Sequence, residues 1–74
     1  MTTETLVGHR FEQTSASTTW AIQHNLGTEA PIVDVWIDIS GTIHKVMPLS
    51  VVVDDANNIT ITFSSAQTGV VLIA

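Results

Sequence analysis

The chain has 74 residues, 45% hydrophobic and only 12% charged, with seven acids, two cations, no cysteine and a net charge of −5. Its two cations, Arg10 and Lys45, are far apart in sequence, which disfavours the clustered basic surface that phosphates require, so nucleic acid and anionic membranes are not expected partners. Without cysteine there are no disulfides, thiolate nucleophiles or cysteine-ligated zinc.

Soluble domains carry roughly twice this share of charged residues. With a mean hydropathy of +0.36, so short a chain has more apolar surface than one core can hide. Large apolar patches mark interaction sites. The length fits a single domain over residues 1–74, and the initial Met1 suggests a complete product. Residues 1–5 are polar and read as a loose arm. No basic, apolar leader is visible. The longest apolar runs, Val51–Val53 and Val70–Ala74, fall far below the ~20 residues of a membrane-spanning helix.

In chain order, Leu6–Glu12 predicts a first strand with Val7, His9 and Phe11 on one side. Gln13–Thr18 is rich in Ser and Thr, which bond nearby backbone and favour a loop. Thr19–His24 alternates, with Trp20, Ile22 and His24 on one face and Trp20 in the core. Asn25-Leu26-Gly27 reads as a turn using positive φ. After Pro31, Ile32–Ile39 is the clearest strand. Val33, Val35, Ile37 and Ile39 form its inward row, opposite Ile32, Asp34, Trp36 and Asp38.

Ser40-Gly41 predicts a tight turn joining this strand to Thr42–Met47 as a hairpin. Pro48 marks a bend or edge before Leu49–Val53. Asp54–Asn58 reads as a polar loop, Ile59–Phe63 as a strand with Ile59, Ile61 and Phe63 inward, and Ser64–Gly69 as a turn. Val70–Ala74 is apolar on both faces, as expected of a central strand or one sealed by a neighbour. No segment of helical length shows helical periodicity. The expected fold is all-β and helix-poor: a small antiparallel β-sandwich or barrel of six to seven strands.

Candidate chemistry is sparse. His9, His24 and His44 lie 15 and 20 residues apart, which matches no compact metal-ligand motif, and local packing explains them. Ser40, His44 and Asp38 cluster around one turn but lack a nucleophile elbow. The Asp34/Asp38 and Asp54/Asp55 carboxylates read as solvated surface acids. The Asp54–Asn58 run lacks the spaced acids and terminal Glu of a calcium loop. No enzyme, cofactor or metal is expected. Trp36 falls on the polar side of its strand. There it is either an interface anchor or a ring covered within the monomer.

The segment Trp20-Ala21-Ile22-Gln23-His24-Asn25-Leu26-Gly27, preceded by Phe11-Glu12-Gln13, resembles a small module of tailed-bacteriophage virion proteins: an aromatic, then Gln, then W-x-I-x-H-N-L-G. A Pro and Val-rich strand follows at Pro31–Val35, then a Gly turn at Gly41, an N-x-I-x-I-x-F strand at Asn58–Phe63, and an apolar end at Gly69–Leu72. The similarity runs from about Phe11 to the C-terminus. It implies a structural particle component, located in the virion, without catalytic residues. In that module Trp20 and Ile22 would fill the core while His24 and Asn25 bond across the turn that Gly27 permits.

Together these readings predict a virion structural protein that assembles through apolar, charge-poor surfaces. Its partner would be itself or a larger tail, baseplate, fibre or capsid protein. The repeated symmetry of such particles suggests a closed homo-oligomer, taken as a trimer. Expected contacts are Trp36 with its neighbours Asp34 and Asp38, Leu6, and the terminal Val70, Val71, Leu72 and Ile73. The alternative is a module recognising a host glycan or receptor, with Trp36 stacking on a sugar and Asp34 and Asp38 bonding it.

Overall fold

A computed structural model describes residues 8–74. The described residues form one antiparallel sheet of five strands and no helix: β1 (His9–Gln23), β2 (Val33–Ile39), β3 (Thr42–Val46), β4 (Ser50–Asp55) and β5 (Asn58–Ile73). β5 is the centre of the sheet. β1 runs along one side of it from Gln23↔Asn58 to His9↔Ile73. β4 and β2 share the other side, β4 beside the first half of β5 and β2 beside the second. β3 lies outside β2.

All-β architecture is therefore as expected, but the strands are five and the sheet is not closed. The described part of the first predicted strand, His9–Glu12, belongs to one strand with Thr19–Gln23, as Ile59–Phe63 does with Val70–Ile73; Leu6 and Val7 lie outside the described residues. The Ser/Thr-rich stretches between them do not loop out. They stay extended and paired, through Ser17↔Gln67, while the register shifts on both sides of Ser17. Their side chains still bond local backbone: Gln13 Nε2 donates to the Ser15 carbonyl (2.8 Å) and Ser17 Oγ to the Thr19 carbonyl (2.9 Å). This chemistry, read in the sequence as a loop signal, makes bulges.

The bulges fold the sheet back on itself. Phe11 and Trp20 are nine residues apart, about 30 Å in a straight strand, yet their ring centroids are 6.3 Å apart. The irregularity also switches the inward row of β1 from odd positions (Phe11) to even ones (Trp20, Ile22), since a one-residue slip turns a side chain to the other face. The core lies inside the bend. Trp20, Ile22, Ile59, Ile61 and Phe63 come from one half, and Val35, Ile37, Val71 and Ile73 from the other. Trp20 is fully buried, its ring 4.6 Å from that of Phe63 and its Nε1 donating to the Ser17 carbonyl (3.0 Å).

Two two-residue turns set the hairpins. Ser40 and Gly41 have φ of 51° and 87°, the pair of positive values a type I′ turn needs, and the Gly41 amide donates to Asp38 Oδ1 (2.7 Å). The predicted loop at Asp54–Asn58 is tighter than expected: both Asp residues remain in β4 and only Ala56-Asn57 turn. Pro48, as expected, lies between strands, in the three-residue link Met47-Pro48-Leu49 from β3 to β4. Among the described residues β3 and β4 do not pair with each other, so the folded sheet is open between them, while β1 forms its other edge. Ile39, predicted inward, is instead half-exposed, at the hairpin end of β2 opposite Thr42.

Candidate functional site

Alternation turns Arg10 and Glu12 of β1, Val70 and Leu72 of β5, Asp34 and Trp36 of β2, and Lys45 of β3 onto the outer face of one half of the sheet. Cross-strand pairing puts them in two rows. Leu72 lies between Arg10 and Asp34, and Val70 between Glu12 and Trp36, with Lys45 beyond Trp36. The result is an apolar stripe bracketed by two ion pairs, Arg10 Nη1–Glu12 Oε2 at 2.8 Å and Lys45 Nζ–Asp34 Oδ1 at 3.2 Å. Lys45 Nζ also lies 5.8 Å from the centre of the Trp36 ring, within cation–π range.

Both cations of the chain are on this face, each beside an acid. The two ion pairs cancel four charges on this face, and Asp38 adds one acid at its hairpin end; Glu29 lies in the link between β1 and β2, and Asp54 and Asp55 lie in β4. The end of the stripe widens into a groove of about 310 Å³ between Gly8, Arg10, Ile32, Asp34, Leu72 and Ala74. Ile32 is 69% exposed there although its amide and carbonyl pair with Ala74 (2.7 and 2.8 Å). A second groove of about 370 Å³ opens at the link between β3 and β4, lined by Ile37, Val46, Met47, Pro48, Leu49 and Phe63 among others.

The predicted contact residues separate. Trp36, Asp34, Val70 and Leu72 share the outer face. Trp36 is half-buried, so neither a fully outward ring nor a covered one describes it. Val71 and Ile73 belong to the inward row of β5 and are buried. Their expected role in outside contacts is corrected, because a central strand gives alternate residues to the core. Asp38 lies on the same side but its carboxylate is occupied by the Gly41 amide. Leu6 lies outside the described residues.

The W-x-I-x-H-N-L-G residues make a clamp. Trp20 and Ile22 are core, and Asn25 and Gly27 take positive φ (56° and 65°). His24 is buried, and the Leu26 amide donates to its Nδ1 (3.0 Å), which puts the proton of a neutral ring on Nε2. That Nε2 is buried without a partner among the described residues. The loop wraps the β4–β5 turn. The His24 and Asn25 amides donate to the Asn57 carbonyl (2.8 and 3.2 Å), the Gly27 amide to Asn57 Oδ1 (3.0 Å), and the Thr28 amide to the Ala56 carbonyl (2.8 Å). The pairing partner of the motif, Asn57, was not singled out in the sequence, where it shows only as a turn residue.

Chemistry-bearing residues do not converge. In the β2–β3 hairpin His44 sits opposite Ile37 on the inner face and Asp38 opposite Ile43 on the outer one, so with Ser40 they form no triad. Among the described residues there is no group of three His, Asp or Glu side chains that could hold a metal ion. No protein-family model, curated protein or solved structure matches the chain.

Proposed function

We propose that this chain is a small structural protein of a bacteriophage particle. In that role the bent sheet serves as a half-open sandwich and docks on a tail, baseplate, fibre or capsid protein through its outer face. The observation that carries the reading is the stripe of Trp36, Val70 and Leu72 bracketed by its two ion pairs. Interface cores are depleted in net charge and enriched in aromatic rings, and charges already paired on one surface need no partner to compensate them. The W-x-I-x-H-N-L-G resemblance supplies the particle. The glycan reading is less favoured, because Lys45 already lies over the Trp36 ring and holds Asp34.

Density-gradient-purified particles of a phage encoding the chain should contain it in fixed stoichiometry. Trp36→Ala should lower its incorporation while leaving the circular dichroism and melting temperature of the isolated chain nearly unchanged. Absence of the chain from the particles, or equal loss of folding and incorporation in Trp36→Ala, overturns the reading.

A further inference from the structure

The open side of the sheet is built differently from the outer face and points to a different occupant. β4 reads Ser50-Val51-Val52-Val53-Asp54-Asp55, and among the described residues it pairs only with β5. Its outward edge therefore presents unpaired backbone groups, a template for another strand. Val51 and Val53 stand opposite the buried Ile61 and Ile59, so they belong to the core-facing side, yet both stay more than one-third exposed. Val52, on the other face, is half-exposed. Next to them in the chain Leu49 is 72% and Met47 95% exposed.

We propose that a second copy of this chain covers this side, β4 pairing antiparallel with the partner's β4 about a two-fold axis through Val52. The proposal rests on the reading of the chain as an assembling structural protein and names one of its partners. Three features favour a second copy. The groove at the link between β3 and β4 is lined without any charged side chain, so a chain of net charge −5 can meet itself there.

The area is also sufficient. Met47, Leu49, Val51, Val52 and Val53 together leave uncovered about as much surface as three fully exposed residues. That is on the order of 500 Å² per copy, so a pair covering all of it would reach the ~1,000 Å² that a specific interface has to clear. Last, the register suits the sequence. Residues directly opposite in an antiparallel pair share a face, so an axis through a residue keeps both core-facing sides together. An axis through Val52 sets Val51 against Val53 and Ser50 against the Asp54 end of the strand, where the β4–β5 register shifts, so the acids of the two copies lie at opposite ends of the pair. The pair joins the β1–β5–β4 parts of two copies into one six-stranded sheet. It is a dimer, in place of the trimer expected from particle symmetry.

Sedimentation equilibrium at micromolar concentration reads this directly. The chain should run at twice its 8.0 kDa mass. Val52→Lys, a substitution at an exposed edge position of the kind that blocks strand pairing, should run as a monomer with an unchanged circular dichroism spectrum. Because the chain has no cysteine, Val52→Cys should give a disulfide-linked dimer on mild oxidation, since residues paired across a two-fold lie within disulfide reach. Leu72→Cys, on the outer face, should not. A wild-type monomer up to millimolar concentration, a trimer, a dimer that survives Val52→Lys, or equal cross-linking of the two cysteine variants overturns the two-fold pairing. None of these results bears on incorporation into particles, which tests the outer face separately.

Discussion

The β1–β5 spine and the open side are made from the same residue types and end in opposite states. Ile59 and Ile61 of β5 are fully buried, while Val51 and Val53 of β4, directly opposite them, are not. The difference is in neighbours. β5 has strands on both sides and the folded-over half above it. β4 has one strand beside it and an uncovered row before it. Apolar character thus sets which residues can be buried, and topology decides which are. The uncovered remainder is where a partner gains most.

The largest expected effect sharpens that contrast. Trp20→Ala removes the side chain that joins Phe11 of one half to Phe63 of the other. It should cost about 3–5 kcal/mol, as large-to-small changes in a core do, and in a domain of this size that approaches the whole stability. At a concentration where the chain is monomeric, Met47→Ala should change the unfolding free energy by less than about 0.5 kcal/mol, as is usual at exposed positions. Similar losses in the two variants would show that the isolated chain already covers its open side.

A smaller effect tests why β2 can reach β5 at the bend. Gly69 lies between Gln13 and Ile37. A Cβ there would fall 1.9 Å from the Trp36 carbonyl oxygen and 2.9 Å from the Ile37 Cα. Those are backbone atoms, which cannot step aside as a flexible side chain would. Gly69→Ala should therefore destabilise by roughly 1–3 kcal/mol, the usual range for overpacking. Amide exchange should rise first at Asp34–Ile37 of β2, with the β4–β5 hairpin unaffected. Uniform loss of protection would instead make the two halves of the sheet one cooperative unit.

Much of the fold was legible because period-two alternation is a local signal. The inward Val33, Val35 and Ile37, the Ser40-Gly41 turn, the positive φ of Asn25 and Gly27 and the burial of Trp20 could all be read from neighbouring residues. Strand number could not. Whether Gln13–Thr18 loops or bulges depends on a partner fifty residues away, and Ser17 pairs with Gln67 only once the spine exists. The outer face was half legible. Trp36 with Asp34 followed from alternation, as did the Arg10–Glu12 pair within one strand, but Lys45 beside Asp34 and Arg10 beside Leu72 followed from a strand order the sequence does not print. Asn57 was invisible for the same reason: its bonds to His24, Asn25 and Gly27 cross from one loop to another.

The smallest effect concerns the turn which that loop grips. Asp55 accepts from the Asn57 amide at Oδ1 (2.8 Å) and from Asn58 Nδ2 at Oδ1 and Oδ2 (2.9 and 3.1 Å). Hydrogen bonds to a carboxylate favour its ionised form. Those from the Asn57 amide and the Asn58 side chain hold this carboxyl below the ordinary aspartate value of 3.8. A group whose value is lowered by folding binds protons more readily when unfolded. Asp55 therefore adds stability above the unfolded value, and that contribution disappears as pH falls through the lower folded one. Asp55→Asn keeps an acceptor at Oδ1 but no charge. It should be less stable than the wild type at neutral pH, and the gap should close as pH drops below 3.8. Urea midpoints of the two chains across that range measure it. A gap that stays constant into acid would mean that shape, not ionisation, holds the turn against His24, Asn25 and Gly27.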